Sequence, residues 1–355
     1  MMTPEDAPRP PIFSTRGLPA EAVEWGFRLL AGRAPVDGGE FANFQSLPDL
    51  DAMRRAFTNL PEFHGFFSAV LTGYPAYAMP LFLLRPPATP ELPWVFQAPT
   101  LDRPVSQLCT AAQFEESAFL EIIQAMALRP ARNRQLWEQA WVVSMLATEG
   151  LVARGKSGLA LESGRERIGA LLASRGVAVL GTGGEIADDR DAEARRLRLF
   201  YPEIVHIDDF DSLVSYVELN PREARRMPPG NHDFCWSLGI PARLGSIEAA
   251  LDFFEASLAA LRPGGLALHT FSFNLTSDAA TWELPDLVVL RRRDIEALAA
   301  RLAPAGHQIM TFNTHPGHDT ADETVKTEPH GPIGHRQRHG FAVVTSFGLA
   351  IRKAS

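Results

Sequence analysis

Apolar residues recur at three- and four-residue spacing through Ile247, Leu251, Phe254, Leu258 and Leu261, which predicts an amphipathic helix. A short apolar run lies before it at Asp233 to Trp236. Another follows at Leu266 to Phe273, after the helix-breaking Arg262-Pro-Gly-Gly. Strand, helix, strand in that order is a parallel crossover unit. The same alternation extends from Gly158 to a final apolar strand at Phe341 to Lys353, and it predicts an α/β, doubly wound, mostly parallel sheet of Rossmann-like type. Upstream the period changes to that of helices. Val23, Phe27 and Leu30 share one face, residues 31–41 read as a loop, and Leu50, Met53, Phe57 and Leu60 mark a second helix. Gln113 to Leu128 and Asn133 to Gly150 predict two more, the second closing on its glycine. Between these groups, residues 86–104 are proline-rich and read as an extended arm or linker.

The pattern divides the chain into a flexible leader (1–16), a helical module (17–85), the proline-rich linker with its two helices (86–150) and an α/β domain (151–355). A net charge of -8 argues against a nucleic-acid backbone as partner. No apolar run approaches the length of a membrane span. The acidic, proline-rich start lacks the features of a secretion signal. The two cysteines, Cys109 and Cys235, have neither metal-site nor disulfide spacing and read as buried thiols in a reducing cytoplasm.

A sheet of this kind binds ligands at the carboxyl ends of its strands, with glycines after the first strand and an acid ending the second. Two registers satisfy this. In one, strand one is Gly158 to Glu162, the loop is Ser163 to Glu166, and strand two is Val177 to Leu180. In the other, Val177 to Leu180 is strand one, Gly181 to Glu185 is the glycine loop, a helix covers Ile186 to Phe200, and strand two ends at Asp208-Asp209. Spacing alone favours the second, with its acid roughly 20–25 residues past the glycines.

A wider resemblance favours the first. Between residues 137 and 353 the words GRE (Gly164 to Glu166), VSYVELN (Val214 to Asn220), DFCWS (Asp233 to Ser237), LGSIEAALDF, LRPGGLALHT, RRRDIE (Arg291 to Glu296) and VTSFGLAIR (Val344 to Arg352) follow one another in order. In this they resemble one group of bacterial class I S-adenosylmethionine-dependent methyltransferases. The front of the chain, with Leu29-Leu30-Ala31-Gly32-Arg33-Ala34-Pro35 and Leu60-Pro61-Glu62-Phe63, resembles a helical module of polysaccharide-assembly proteins. The resemblance implies S-adenosylmethionine as cofactor, held by Glu162, Ser163, Gly164, Glu166, Thr182, Gly183, Glu218, Asn220 and Ser237, and no metal. It implies His269, Arg243 and Asn274 as catalytic candidates. The acceptor it implies is a sugar, glycan or other small-molecule hydroxyl, and the helical module could serve a homo-oligomer or protein partner.

The sequence departs from that group at strand ends. Glu162 replaces the first loop glycine, Gly183 stands where the second strand should end in an acid, Ala242-Arg243 replaces Glu-His, and Ser272 replaces a Glu after His269-Thr270-Phe271. These changes keep a second reading in play, a methyltransferase-fold binding or scaffold protein without catalysis. His269 is either a base facing the ligand or a packed structural histidine. The segment with His315, His318, Asp319, Asp322, His330, His335 and His339 has residue types that could bind a metal, but it lacks a strict motif and reads as a polar surface loop of a substrate lid; Arg291-Arg292-Arg293 reads as a helix start or a phosphate grip.

Overall fold

The computed structural model describes residues 17–63, 77, 79–162, 164, 166–184, 189–220, 230, 232–327, 334–340 and 342–355. It separates into two compact units, Met1–Leu81 and Phe82–Ser355. The first unit is helical: α1 (Ala20–Gly26), α2 (Gly38–Gln45) and α3 (Leu50–Phe57). Asp37 and Asp49 begin the last two, each accepting a backbone N–H at 2.8 and 2.7 Å. Phe27, Phe44 and Phe57 close the core, with ring centroids 4.6–5.0 Å apart. The loop predicted over 31–41 therefore ends earlier than expected. The glycine pair opening α2 masked the helix, which is held by its aspartate cap and by Phe44.

In the second unit the arm around residues 86–104 includes β1 (Trp94–Val95), so it is an edge strand and not a free linker. After β2 (Ser106–Leu108) come α4 (Ser117–Ala125) and α5 (Arg134–Thr148). The alternating region follows with β3 (Ser157–Ala160), α6 (Ile168–Ser174), β4 (Ala178–Gly183), α7 (Asp189–Leu197), α8 (Ile207–Leu213), β5 (Val214–Glu218), β6 (His232–Leu238), α9 (Ile247–Ser257) and β7 (Leu261–Asn274). The remainder holds the hairpin β8 (Glu283–Leu284) and β9 (Leu287–Val288), α10 (Arg292–Leu302), β10 (Gln308–Ile309), β11 (Phe312–Asn313), the short α11 (Thr320–Glu323), β12 (Lys326–Thr327), β13 (Gln337–His339) and β14 (Ala342–Arg352).

The sheet runs β5-β4-β3-β6-β7-β14. Strands β3 to β7 are mutually parallel, and β14 alone in that row is antiparallel, along nine residue pairs of β7. From β3 the chain moves outward through β4 and β5, then returns to the other side of β3 as β6. This is the strand order of class I methyltransferases, with its switch point between β3 and β6. Of the two registers, the first therefore holds for the strands. Asp208 and Asp209 belong to the first turn of α8, not to a strand end, because His206 caps that helix.

One element is foreign to the expected order. β10 pairs with β14 at Ile309–Ile351, but β11 does not; β2 inserts between them, parallel to β11 and antiparallel to β14. Trp141 of α5 packs on Gly348, where an added Cβ would come within 2.3 Å of the indole, and its Nε1 donates to the Val105 carbonyl at 3.0 Å.

Candidate functional site

The crevice at the switch point is a cleft of about 210 Å³ lined by Glu162, Gly184, Asn220, Ile240, Arg243, Leu244 and Asp286. All the lining residues but Asp286 follow a parallel strand's carboxyl end, where opposite turns out of β3 and β6 leave an opening. Ile240, Arg243 and Leu244 lie on the turn after β6, and Asp286 comes from the tip of the β8–β9 hairpin, beside Gly245.

Glu162 shapes this cleft. Its φ of +53° is the left-handed conformation that glycine adopts freely, and other residues adopt at about 1–2 kcal/mol. The expected glycine is gone but its backbone shape is kept. Two hydrogen bonds hold it: the Glu162 N–H donates to Thr182 Oγ1 at 3.1 Å, and that hydroxyl donates to the Ala160 carbonyl at 2.7 Å. Thr182 is thus a buried clasp between strand ends. The Glu162 carboxylate reaches across the cleft to Arg243, Oε1 to Nη1 3.2 Å. A direct test follows. Glu162→Gly should be more stable than Glu162→Ala by about 1 kcal/mol in urea unfolding, because only glycine escapes the left-handed penalty. Equal stabilities would show that the turn relaxes on substitution.

The other cofactor-loop residues divide. Ser163 lies outside the described residues. Glu166 Oε2 accepts the Gly164 N–H at 2.6 Å, and loss of water, with the nearby Glu162 charge adding, pushes its carboxyl up to about 7. Gly183 is buried under the Tyr216 hydroxyl, which an added Cβ would meet at 2.0 Å, so no acid fits there. Its neighbour Gly184 has open space in the corresponding direction. Asn220 lines the cleft; Glu218, the exposed end of β5, does not.

Four residues, His269, Ser237, Asn274 and Ser272, are corrected by burial. His269 has no exposed surface and packs between Phe253 and Phe254. Its Nδ1 lies 2.8 Å from Ser237 Oγ and its Nε2 3.0 Å from Ser257 Oγ, so Ser237 is buried in this contact and does not line the cleft. Burial lowers the imidazole to about 3, which fits the structural histidine. Asn274 is likewise buried. Its amide donates to the Ala280 carbonyl and its Oδ1 accepts the Thr276 and Ser277 N–H groups, closing a turn and facing no ligand. Ser272, opposite Ser346 on β14, is also buried away from the cleft lining. Of the catalytic set only Arg243 lines the cleft.

The polar segment is a surface feature only in part: His318 and Asp319 are exposed, but much of the rest turns inward. His315, Asp322, His335 and Arg336 are buried. Asp322 Oδ1 accepts from the Ala111 N–H and from His335 Nε2, both at 2.9 Å. Burial pushes its carboxyl up, yet the His335 hydrogen bond and the Arg336 charge outweigh this and hold it below the usual range. His330 falls outside the described residues. Among the described residues no three His, Cys, Asp or Glu side chains gather as a metal site. The arginine run is structural: Arg291 caps α10 with Asp294, Arg292 donates to the Phe82 and Arg85 carbonyls, and Arg293 lies beside Asp278. Both thiols are buried and raised by loss of water. Among the described residues no helix is long and apolar enough to cross a membrane.

Sequence reasoning missed Ile240, Leu244, Gly184 and Asp286. Pro285-Asp286 is a turn-forming pair, but nothing in its sequence neighbourhood assigns it to the cleft.

No protein-family model and no curated protein matches the chain. Solved structures similar to it include a candidate sarcosine dimethylglycine methyltransferase from Galdieria sulphuraria, 14% identical over 61% of this chain and 84% of that one, with a TM-score of 0.41. Others are the magnesium protoporphyrin IX methyltransferase of Synechocystis with bound S-adenosylmethionine (12%, 67% and 85%, TM-score 0.36) and an S-adenosylmethionine-dependent methyltransferase of Geobacter sulfurreducens with S-adenosylhomocysteine (15%, 55% and 72%, TM-score 0.35). Scores this low carry no argument of their own. The fold assignment rests on strand order.

Proposed function

We propose that the protein is an S-adenosylmethionine-dependent methyltransferase acting on a sugar, glycan or other small-molecule hydroxyl. The observation that carries this reading is the position of the charged cleft, at the switch point of a sheet with class I methyltransferase order. The lining suits the cofactor in kind. Glu162 and Arg243 offer opposite charges for an amino-acid end, Asn220 and Asp286 offer hydrogen-bond partners for a ribose, and Ile240 and Leu244 offer an apolar wall for a purine. Gly184 leaves a space that a side chain would fill. When bound, the cofactor supplies an electrophilic methyl group; the chain supplies alignment and exclusion of water. The Met1–Leu81 unit would be a docking module for a partner or a second copy.

Titration with S-adenosylhomocysteine tests the reading. At 100-fold excess over Kd it should raise stability by about 2.7 kcal/mol, a clear upward shift in Tm. Gly184→Phe should leave the unliganded Tm unchanged and weaken binding by at least about tenfold. A lowered Tm in the unliganded variant would show that the space is not free. One observation favours the second reading, a non-catalytic binding protein: the Glu162–Arg243 pair already spans a cleft smaller than the roughly 300–1,000 Å³ of ordinary ligand pockets. No binding at millimolar ligand would leave that reading alone.

A further inference from the structure

We propose that Glu138, on helix α5, is a positioning residue for the cleft: through the Thr270 hydroxyl it holds the turn after β6 that carries Ile240, Arg243 and Leu244. Its consequence for ligand binding rests on the cofactor reading above; the linkage to the turn does not.

Under α5 the sheet changes character toward the carboxyl ends of its strands. Leu266 and Leu268 of β7, Trp236 of β6 and Ala350 of β14 belong to the apolar core. Further along stand Thr270 and Ser346, both buried, and Glu138 meets them one helical turn before Trp141. Ser346 Oγ donates to Glu138 Oε1, and the Thr270 hydroxyl bonds the same carboxyl. Loss of water pushes this carboxyl up, against the two hydroxyls and the Arg134 charge, so its burial is costly. What it supplies is direction. A threonine hydroxyl has one proton and rotates to suit its neighbours. With that proton given to Glu138, its lone pairs face the Gly239 N–H. That N–H donates to Thr270 Oγ1 at 3.1 Å and to the Thr270 carbonyl at 3.0 Å. Gly239 takes the chain out of β6 at a φ of +67°, and Ile240, the next residue, lines the cleft. The Ile240 carbonyl accepts the Arg243 N–H at 2.9 Å, so the anchor on Gly239 is passed to the short helical turn bearing Arg243. A buried network whose members are all bonded makes rigid what it touches.

Amide exchange followed by NMR tests the linkage at two sites. One is Gly239, at the end of the hydrogen-bond chain. The other is Leu161, whose N–H donates to the Trp236 carbonyl at 2.8 Å, outside it. A loss of global stability moves both; a loss of positioning moves Gly239 alone. Glu138→Met fills the space without an acceptor, Thr270→Val removes the hydroxyl, and Thr270→Ser keeps it. Relative to Leu161, Gly239 should exchange about fivefold faster or more in Glu138→Met and in Thr270→Val, as for the loss of one hydrogen bond. The double variant should be no faster than Thr270→Val, and Thr270→Ser should match wild type. S-adenosylhomocysteine, titrated calorimetrically, should weaken several-fold in Glu138→Met and Thr270→Val and not in Thr270→Ser. Should Glu138→Met not fold, Glu138→Asp, with its shorter reach, takes its place. If Gly239 answers to Thr270→Val but not to the Glu138 variant, or moves only in step with Leu161, the proposal is overturned. If Gly239 answers as expected but S-adenosylhomocysteine binds all the proteins alike, the role in the cleft is overturned while the cofactor reading stands. If Gly239 answers and the ligand binds none of them, the cofactor reading falls and the hold of Glu138 on the turn stands.

Discussion

The destabilisation caused by His269→Gln should shrink by about 3 kcal/mol between pH 7 and pH 4, because acid penalises the wild-type protein and spares the variant. The imidazole sits in a fixed network. Ser257 Oγ donates to the Phe254 carbonyl at 2.7 Å, so it accepts from His269 Nε2–H, and Ser237 donates to Nδ1. This tautomer is inferred from the partners. A second proton on Nδ1 would force the Ser237 hydroxyl to turn from donor to acceptor and would place a charge between two phenylalanine rings, with no carboxylate in contact among the described residues. The folded pKa, lowered by burial from 6.5 to about 3, lies below the unfolded one. The contribution is therefore complete above about pH 6.5 and is lost progressively as pH falls toward the folded value. At about 1.4 kcal/mol per unit, the window down to pH 4 corresponds to the stated loss. His315, lowered to about 4 by burial and by His318, acts in the same direction. Glu166 and Glu138, both raised by burial, act in the opposite one. For that reason the quantity to measure is the difference between wild type and variant from urea unfolding at each pH. A difference that stays flat within about 0.5 kcal/mol would mean that His269 reaches water in the folded protein.

How far the sequence disclosed this arrangement depended on the range of the interaction. The crossover around Ile247 to Leu261 was legible because one helix face and two flanking strands carry their own periodicity. The cofactor-loop register was not decided by spacing, since Asp208 and Asp209 stand at a plausible distance from the glycines. Their helix cap, His206, revealed its role only in three dimensions. His269 was ambiguous for a related reason. Successive residues on a strand point to opposite faces, and Ser237 and His269, paired in register on β6 and β7, turn inward under α9. Glu162 was recognised as a departure, but not as a residue that keeps glycine's conformation. Asp286 and the β2 insertion were illegible, because each depends on a contact distant in sequence: a hairpin tip over the β6 turn, and a three-residue strand with no alternation of its own.

Trp141→Ala should cost about 3–5 kcal/mol, the range for emptying a buried aromatic site, and should loosen the inserted strand β2 first. The indole is fully buried, stacks on Trp137 at 6.2 Å and 19°, and donates to the carbonyl of Val105, the residue preceding β2. Removing it leaves a cavity over β14 and takes the partner from that carbonyl. Trp141→Phe should cost less, since most of the ring remains and chiefly the hydrogen bond is lost, worth about 1 kcal/mol. The decisive comparison uses Gly348, whose missing side chain makes room for the indole. In the wild-type background Gly348→Ala overpacks this contact and should cost about 1–3 kcal/mol. In the Trp141→Ala background the same methyl group enters vacated space and should cost almost nothing. Neighbours that share a contact are expected to be non-additive by about 0.5–3 kcal/mol. Urea unfolding of the four proteins gives this coupling, and amide exchange at Ser106 to Leu108 reports on the strand. Additive costs, or β2 amides as protected in Trp141→Ala as in wild type, would mean that β11 and β14 hold the insertion without the tryptophan.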